Sequence, residues 1–487
     1  MPSSASSRLP QKWRTLIAVG FGTFMATMDF SIVNVALPTF SREFDRSPDT
    51  VVWAALGSSL VVTGLTLTAG RAGDLYGRKR VYLAGWVILT LALTAASFAQ
   101  SLEQIIALRL LQAVGVSLAI ANANAIVTDA FPDTERGRAL GTITSIVGAG
   151  LMSGPILGGL ILELLDWRAI FYARIPIGLL AIAMGYLEIR EEPRERDPNR
   201  RLDLPGAVLL FASLASVLVA VNRGQTWGWT SPVIIGLTVL GLVSLVTFLR
   251  VESRVASPIL SLTLFRMRTF ASSISSLTLN FVGQSSVIFL MPFYLIEVRD
   301  FSTAQTGLMI AMVPLMMLVF APLSGWFADR TGWPHQATLG IALVSAGLLT
   351  LATLEVDTPV PLVLVRLALV GLGSMIFGPP NTSAVMGSVP RPMLGTASAS
   401  VATSRNVGNA VGLAVASAVL VIVGGGAGAG IAANDLPPED LLRGIRAAFL
   451  AAGLLSLLAI GASLTGRRDG PKQPPQPESA RTTSAAR

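Results

Sequence analysis

The stretch Leu67-Thr-Ala-Gly70-Arg-Ala-Gly-Asp74-Leu-Tyr-Gly77-Arg78-Lys79-Arg80 is a short basic segment between two long apolar runs. A weaker copy, Gly325-Trp-Phe-Ala-Asp329-Arg330-Thr-Gly332, recurs further along the chain. Asp329 follows Asp74 by 255 residues. A motif that recurs at such a distance indicates that the chain is a duplication.

Two further pairs of residues repeat with nearly the same spacing. Arg366 follows Arg109 by 257 residues, and Gly408 follows Gly154 by 254. The agreement predicts two six-helix halves with an extra helix pair between them, an arrangement in which transporters rock two repeats around a central site.

The composition places the protein in a lipid bilayer. Of its 487 residues, 52% are hydrophobic and 13% are charged, and the mean hydropathy is +0.64. The apolar runs are long enough to cross a hydrocarbon core of about 30 Å as helices. The sequence therefore predicts an all-α polytopic membrane protein with 14 transmembrane helices arranged as 6 + 2 + 6.

The apolar runs give approximate bounds for these spans and for the segments between them. The predicted spans are 15–38, 51–70, 80–99, 105–127, 139–162, 169–189, 205–222, 232–250, 270–293, 304–327, 336–355, 360–386, 396–424 and 446–465. The predicted domains are an N-terminal segment 1–14, a six-helix bundle 15–189, a linker 190–204, an inserted pair 205–250, a linker 251–269, a second bundle 270–465 and a disordered tail 466–487.

The distribution of charge predicts topology and localisation. Most of the 36 Lys and Arg residues fall in the segments on the side of both termini, which predicts that both ends are cytoplasmic. We expect a bacterial cytoplasmic membrane. The net charge of +8 is spread over short clusters between spans rather than along one polar face, so nucleic acid is not an expected partner.

The residue types that most enzymes and metal sites need are scarce. The chain has no cysteine and a single histidine, His335, without a partner at metal-ligand spacing. The glycine-rich loop 424–430 lacks the Lys-Ser/Thr of a phosphate-binding loop and is expected to be a flexible external loop. We expect neither an enzyme nor a metal or organic cofactor.

Four motifs together resemble the major facilitator superfamily, and in particular its fourteen-helix drug:proton antiporter branch. The Gly70 to Lys79 segment resembles motif A, and Arg109-x-x-Gln112-x-x-Gly115 resembles motif B. Gly150-x-x-x-Gly154-Pro155-x-x-Gly158-Gly159 resembles motif C, and Met28-Asp29-Phe-Ser-Ile-Val-Asn34-Val-Ala-Leu-Pro38 is similar to the first-helix signature of that branch. The resemblance implies proton-driven export, with the proton gradient in place of a cofactor.

Asp29 is the leading candidate for proton coupling. It lies about 14 residues into the first span, roughly 21 Å along a helix, and an ionisable group there is a functional hypothesis by default. Removal from water favours a neutral carboxyl group, which would permit proton capture near neutral pH. The alternative is a structural residue permanently paired with an arginine such as Arg109. By resemblance to motif B, Arg109 should face the cavity and respond to the charge of Asp29.

Arg174 stands where relatives in this branch usually carry Asn. We expect its side chain to reach the outer membrane interface, and the alternative is a fixed positive charge at the cavity mouth. Together with Arg109, Arg366 and Arg405 it leaves one acid and four arginines in the predicted membrane interior, away from the span ends. That balance disfavours polyvalent cations as substrates and leaves neutral, monocationic or amphipathic molecules.

Polar residues in the spans are candidates for the substrate cavity. Adding 255 to position 29 gives Gln284, which we predict to be the neutral counterpart of Asp29 in the second half. The full set of predicted cavity residues is Asn34, Gln112, Asn122, Asn280, Gln284 and Asn381.

Small residues at intervals of four let helices approach closely. Gly150, Gly154 and Gly158 have this spacing, and Pro155 permits a bend. Close packing alone would explain the stripe, and we also expect it to seal the cavity against proton leak. Gly159 completes the predicted antiporter motif.

The duplicated loop is the predicted gate. Its residues are Gly70, Asp74, Gly77, Arg78, Asp329, Arg330 and Gly332. An acid between glycines can accept hydrogen bonds from the free amides at the start of a neighbouring helix. We expect Asp74 and Asp329 to hold the halves together on the cytoplasmic side when the cavity faces outward. The sequence thus predicts an antiporter for hydrophobic or amphipathic small molecules that acts as a monomer, or alternatively an exporter of an endogenous metabolite, antibiotic or lipid.

Overall fold

A computed structural model describes residues 9–190, 202–228, 230–255, 258–332, 335–424 and 437–465. Within these ranges the chain is helical and has no strand. The predicted tail 466–487, the predicted external loop at 425–430 and most of the linker 190–204 lie outside the described residues.

The described residues include fourteen long helices, which are labelled α1 to α14 in chain order. They are Gln11–Glu43, Trp53–Tyr76, Arg78–Ala96, Leu102–Ala130, Arg136–Leu164, Ala169–Glu188, Leu204–Trp227, Pro232–Glu252, Arg268–Phe293, Met312–Thr331, Gln336–Leu351, Val360–Ser388, Leu394–Val423 and Pro438–Thr465. Thirteen of the described helices are long and apolar enough to cross a membrane, whereas α11, Gln336–Leu351, is shorter. The all-helical membrane fold predicted from the sequence is confirmed.

Several helices depart from the predicted spans for local reasons. α1 has 33 residues and continues through Pro38, beyond the predicted span 15–38. α6 is interrupted before Arg174, where a short turn Ala169–Tyr172 precedes Ile175–Glu188. α9 ends in a π-helical turn, Tyr294–Val298, and a separate helix Thr303–Ile310 precedes α10.

The two halves are each built around an apolar core of their own. One large cluster of buried side chains is centred on the first six helices and includes Trp86 and Phe171. A second is formed in the last six and includes Tyr294 and Phe449. The inserted helix α7 packs on the outside of α2, where Phe211 lies against Gly64, and α8 packs on α7.

In both copies of the duplicated loop, the helix is followed by a glycine with a positive φ angle. Gly77 follows α2 with φ of 102°, and Gly332 follows α10 with φ of 57°. Side chains other than glycine are strained at such angles. We call the end of the molecule that holds Asp74 and Asp329 the latch end. α1 also begins there, because Lys12 forms an ion pair of 2.5 Å with Glu135.

Candidate functional site

Asp29 lies at the centre of a buried charge cluster inside the N-terminal half. It is 4% exposed. Nη1 of Arg109 donates to its Oδ2 at 2.7 Å, and Nη1 of Arg174 forms a second ion pair with its Oδ1. Three helices, α1, α4 and α6, therefore meet at a single carboxylate.

The position of Arg174 corrects the expectation from the sequence. We expected it to reach the outer membrane interface, but it is 1% exposed and its Nε also donates to the carbonyl oxygen of Ile170 at 2.6 Å. The interruption of α6 just before Arg174 brings the side chain to α1. The sequence cannot distinguish an arginine that reaches the membrane interface from one that points inward to an acid. The acid that binds Arg174 lies on another helix, α1.

Gln112 extends the cluster along α4. Its Oε1 accepts from Nη1 of Arg109 at 2.6 Å. Its Nε2 and the Nη2 atom of Arg174 are buried and have no hydrogen-bond partner among the described residues. Two guanidinium groups thus face one carboxylate, and each oxygen of Asp29 is paired with a different arginine.

The glycine stripe of α5 supports α1 next to Asp29. A methyl group at Gly150 would overlap Oγ1 of Thr27, and one at Gly154 would overlap Oγ of Ser31. Gly158 faces Ile32 in the same way. The contact holds Thr27 and Ser31, which flank Asp29 along the helix, in close contact with α5.

The remaining residues of the antiporter motif lie away from this contact. Pro155 is exposed, and α5 continues through it without a break. A methyl group at Gly159 would meet nothing within 4 Å. The second half repeats the close contact between α13 and α9, where Gly408 faces Thr278 and Gly412 faces Ser285.

Asp74 joins the two halves by capping a helix of the other half. Its Oδ1 accepts from the backbone nitrogen of Gly395 at 2.8 Å, and its Oδ2 accepts from that of Thr396 at 2.7 Å. These residues begin α13, so the carboxylate lies at the positive end of the helix dipole. Gly70 lets the helices approach, because a methyl group there would overlap Ala399.

Arg78 strengthens this first latch. Its Nη2 donates to Oδ1 of Asp74 at 3.0 Å and also to the carbonyl oxygen of Arg391, which belongs to the other half. Its Nη1 forms an ion pair with Asp129. Asp129 was missed by sequence reasoning, and the only available signal was an acid at the end of a predicted span.

Asp329 forms the second latch in the reverse direction. Its Oδ1 accepts from the backbone nitrogen of Gly137 at 2.8 Å, and its Oδ2 accepts from that of Arg138 at 2.7 Å. The second helix of each half thus caps the fifth helix of the other half. Arg330 is exposed, and its guanidinium carbon lies 5.3 Å from the centre of the Trp326 ring, so it does not repeat the part of Arg78.

Further contacts between the halves continue from the second latch along α5 and α10. Gly141 packs on Ala321, and Ser145 donates to the carbonyl oxygen of Leu318. Gly148 lies against Pro314 and Met317. The halves are therefore joined over several helical turns at the latch end.

The predicted cavity residues fall into two groups. Asn122 donates from Nδ2 to the carbonyl oxygens of Ala69 and Leu118, and Asn381 donates to that of Ser273 at 3.0 Å. Both amides therefore tie helices together, and their side chains have packing roles.

The other polar residues have fewer contacts. Asn280 is 2% exposed and its Oδ1 has no hydrogen-bond partner among the described residues, and Gln284, one turn further, is 8% exposed. Asn34 is exposed and donates to the carbonyl oxygen of Phe30 at 3.3 Å. Asn280, Gln284 and Asn34 remain our proposed substrate contacts.

Two helical bundles that cap each other's helices, with a buried ion cluster in one of them, define a two-bundle membrane transporter. A family model described as the Major Facilitator Superfamily matches residues 19–413. The chain belongs to that superfamily, and its similarity to several drug-resistance proteins places it with the drug-efflux branch.

Particular proteins show how far the similarity extends. The riboflavin transporter RibZ of Clostridioides difficile is 35% identical over 411 residues, which cover 83% of this chain and 88% of that protein. The multidrug resistance protein Stp of Mycobacterium tuberculosis is 34% identical over 83% of this chain and 75% of its own length.

A solved structure supports the fold. The human organic anion transporter MFSD10 matches with a TM-score of 0.64 at 16% identity, over 93% of this chain and 100% of that chain. Together the comparisons identify the protein as a membrane transporter rather than an enzyme.

Proposed function

We propose that the protein is a proton-coupled antiporter that exports hydrophobic or amphipathic small molecules. The observation that carries the proposal is the carboxylate of Asp29, buried within the membrane part and held by Arg109 and Arg174. A buried group of this kind is costly to maintain, so its presence favours a task that uses its charge.

The chemistry of coupling follows from the ion pairs. When a proton binds Asp29, its negative charge disappears, and the guanidinium groups of Arg109 and Arg174 lose the anion that they share. They then repel one another, and the arrangement of α1, α4 and α6 changes. When the proton leaves, the pairs form again. Because α5 is packed against α1 beside Asp29, a shift in this cluster is transmitted to a helix that carries one of the latches.

The direction of transport depends on the latch end facing the cytoplasm, as the distribution of basic residues predicts. With both latches closed there, the cavity opens outward and Asp29 receives an external proton as substrate leaves. The latches then open, the halves rock, and the proton is released inward. A bacterial inner membrane with both termini cytoplasmic, action as a monomer, and a proton gradient in place of a cofactor belong to the same proposal.

The substrate class follows from the charge balance of the interior. Asp29 is compensated by two arginines, which leaves no free acid in the cluster to bind a cationic drug. Asn280 and Gln284 provide neutral polar groups on α9. Neutral or weakly charged amphipathic molecules suit this surface, in keeping with relatives named for tetracenomycin C and puromycin resistance.

The test is exchange in proteoliposomes that contain the purified protein. An imposed pH gradient should drive substrate uphill in the wild type. In Asp29→Asn the carboxylate is replaced by a neutral amide, so substrate should equilibrate without being driven by the gradient. Full gradient-driven transport by Asp29→Asn would refute the proposal.

A second candidate is a transporter for a metabolite made by the cell. The similarity to RibZ, whose name specifies riboflavin, favours this reading. Competition assays with riboflavin and with a panel of antibiotics, run on the same proteoliposomes, separate the two.

A further inference from the structure

Two buried carboxyl groups meet where the inserted helix pair reaches the latch end. Asp203 precedes α7 and is 7% exposed, and Glu252 ends α8 and is 4% exposed. The two inserted helices pack against each other, so the residue that precedes α7 and the residue that ends α8 lie at the same end of the pair, where their carboxyl groups interact. Neither residue has a part in the ion cluster or the latches described above.

Each carboxyl group is anchored through one oxygen. Oδ1 of Asp203 accepts from the backbone nitrogen of Gly206 at 3.0 Å, and Oε1 of Glu252 accepts from that of Leu260. The second oxygens, Oδ2 of Asp203 and Oε2 of Glu252, are buried and have no hydrogen-bond partner among the described residues. Two acceptors thus remain at the meeting point, and none of the described residues donates to them.

Two ionised carboxylates in contact repel one another, and in a buried position each also loses its hydration. A single proton between them removes the repulsion and supplies the missing donor. Pairs of buried carboxyl groups that share one proton are an established solution to this problem.

The helix ends determine which carboxyl group holds the proton. Asp203 caps the start of α7, where the helix dipole stabilises a negative charge, whereas Glu252 is the last residue of α8, where the dipole opposes one. The proton therefore belongs on Glu252.

The apolar cluster next to the pair relates its position to that of the nearby charged residues. Leu67, Ala207 and Phe248 belong to one apolar cluster. One ionisable residue lies four positions from each of these, towards the latch end. Arg71 follows Leu67, Asp203 precedes Ala207, and Glu252 follows Phe248. Arg71 of α2 is 8% exposed. Arg250 and Arg254 flank Glu252 along the chain and are exposed.

We propose that Asp203 and Glu252 form a binding site for one proton, in which Oε2–H of Glu252 donates to Oδ2 of Asp203. The proton closes a contact between both inserted helices and the segment that leads to α9, because Glu252 also holds Leu260. Its release to water at the latch end leaves two adjacent anions and opens that contact. The site is separate from Asp29, and any effect on transport rests on the proposed function.

Infrared difference spectroscopy of the full-length protein in lipid nanodiscs tests the site. As the pH is raised, the C=O band of a buried protonated carboxyl group should disappear in the wild type. The part of this band that comes from Glu252 should be absent at every pH in Glu252→Gln, whose amide donates to Asp203 permanently. Glu188→Gln is the matched control, because it removes an ordinary carboxylate at the same end, paired with Arg14 at 2.7 Å, and should keep the band.

Thermal unfolding provides a second measurement that does not depend on the band assignment. A proton bound more tightly by the folded state than by the unfolded chain stabilises at low pH, and that stability is lost as the pH rises. The wild type and Glu188→Gln should show this loss, and Glu252→Gln should not.

Two results would overturn the site. One is a wild type without a band that depends on Glu252. The other is a stability that rises with added Na⁺, K⁺ or Mg²⁺ instead of falling with pH, which would assign the space to a metal cation. Either result leaves the gradient-driven exchange of Asp29 unaffected, so this proposal and the proposed function fail separately.

Discussion

Oδ2 of Asp74 lies 2.7 Å from the backbone nitrogen of Thr396, a residue of the opposite half of the molecule. Oγ1 of Thr396 also donates to this oxygen, at 2.9 Å. The carboxylate therefore satisfies amides at the start of a helix that its own half does not contain.

Asp74→Asn should weaken the closed latch more than Asp329→Asn. Hydrogen bonds to a charged group contribute about 1.5–3 kcal/mol, and Asp74 also holds Arg78, whereas Asp329 holds the two backbone amides of Gly137 and Arg138. We expect Asp74→Asn to shift the equilibrium towards the open latch by roughly tenfold or more. Spin labels on α2 and α13, with distances measured by double electron–electron resonance, report the shift.

Arg330→Gln is the control for these two variants. Its side chain is exposed and packs on the Trp326 ring, so its loss should leave the distance distribution unchanged. A shift as large as that of Asp329→Asn would show that the basic residue, rather than the capping acid, holds the second latch.

Arg174→Asn should keep coupled exchange but change its pH dependence. The substitution removes one of the two guanidinium groups that are paired with Asp29, and Arg109 remains as the other. The carboxylate then binds a proton more readily, so half-maximal exchange should move to higher pH. Rates measured in proteoliposomes over a series of external pH values check the direction. An unchanged profile would mean that Arg174 does not act on Asp29 during transport.

Gly154→Ala should lower both stability and transport, because the added methyl group would overlap Ser31 and displace α1. Overpacking of this kind costs about 1–3 kcal/mol. Gly159→Ala, where the methyl group meets nothing within 4 Å, is the matched control and should resemble the wild type. Melting temperatures and transport rates are measured for both variants. They distinguish an effect of the close helix contact from an effect of replacing any glycine in this helix. Equal effects of the two substitutions would contradict the proposed role of the close contact between α1 and α5.

Asn280→Leu should raise thermal stability and reduce substrate transport. Oδ1 of Asn280 is buried without a hydrogen-bond partner among the described residues, and replacing an unsatisfied polar group by an apolar one of similar size removes a cost of about 1–3 kcal/mol. If Asn280 contacts substrate, affinity falls at the same time. A stabilised variant with unchanged transport would remove Asn280 from the cavity.

The sequence predicted the parts of the molecule that depend on local pattern. Apolar length predicted the helices, and the acid between glycines in the duplicated loop predicted the kind of contact that Asp74 makes. The inward position of Arg174 could not be predicted, because it depends on where α6 is interrupted and on an acid in another helix. The contact of Asp203 with Glu252 was equally hidden, since each residue alone resembles an ordinary helix end. Asn122 looked like a cavity residue because a polar group in a span is conspicuous, whether it binds substrate or a neighbouring backbone.

The exchanged caps also indicate what replaces the latches when they open. Four backbone amides, those of Gly137, Arg138, Gly395 and Thr396, lose their carboxylate partners and must be hydrated. Opening is therefore a competition between two side chains and solvent, and its equilibrium depends on water activity. Osmolytes that lower water activity should hold the transporter closed at this end, without touching either the substrate or the proton.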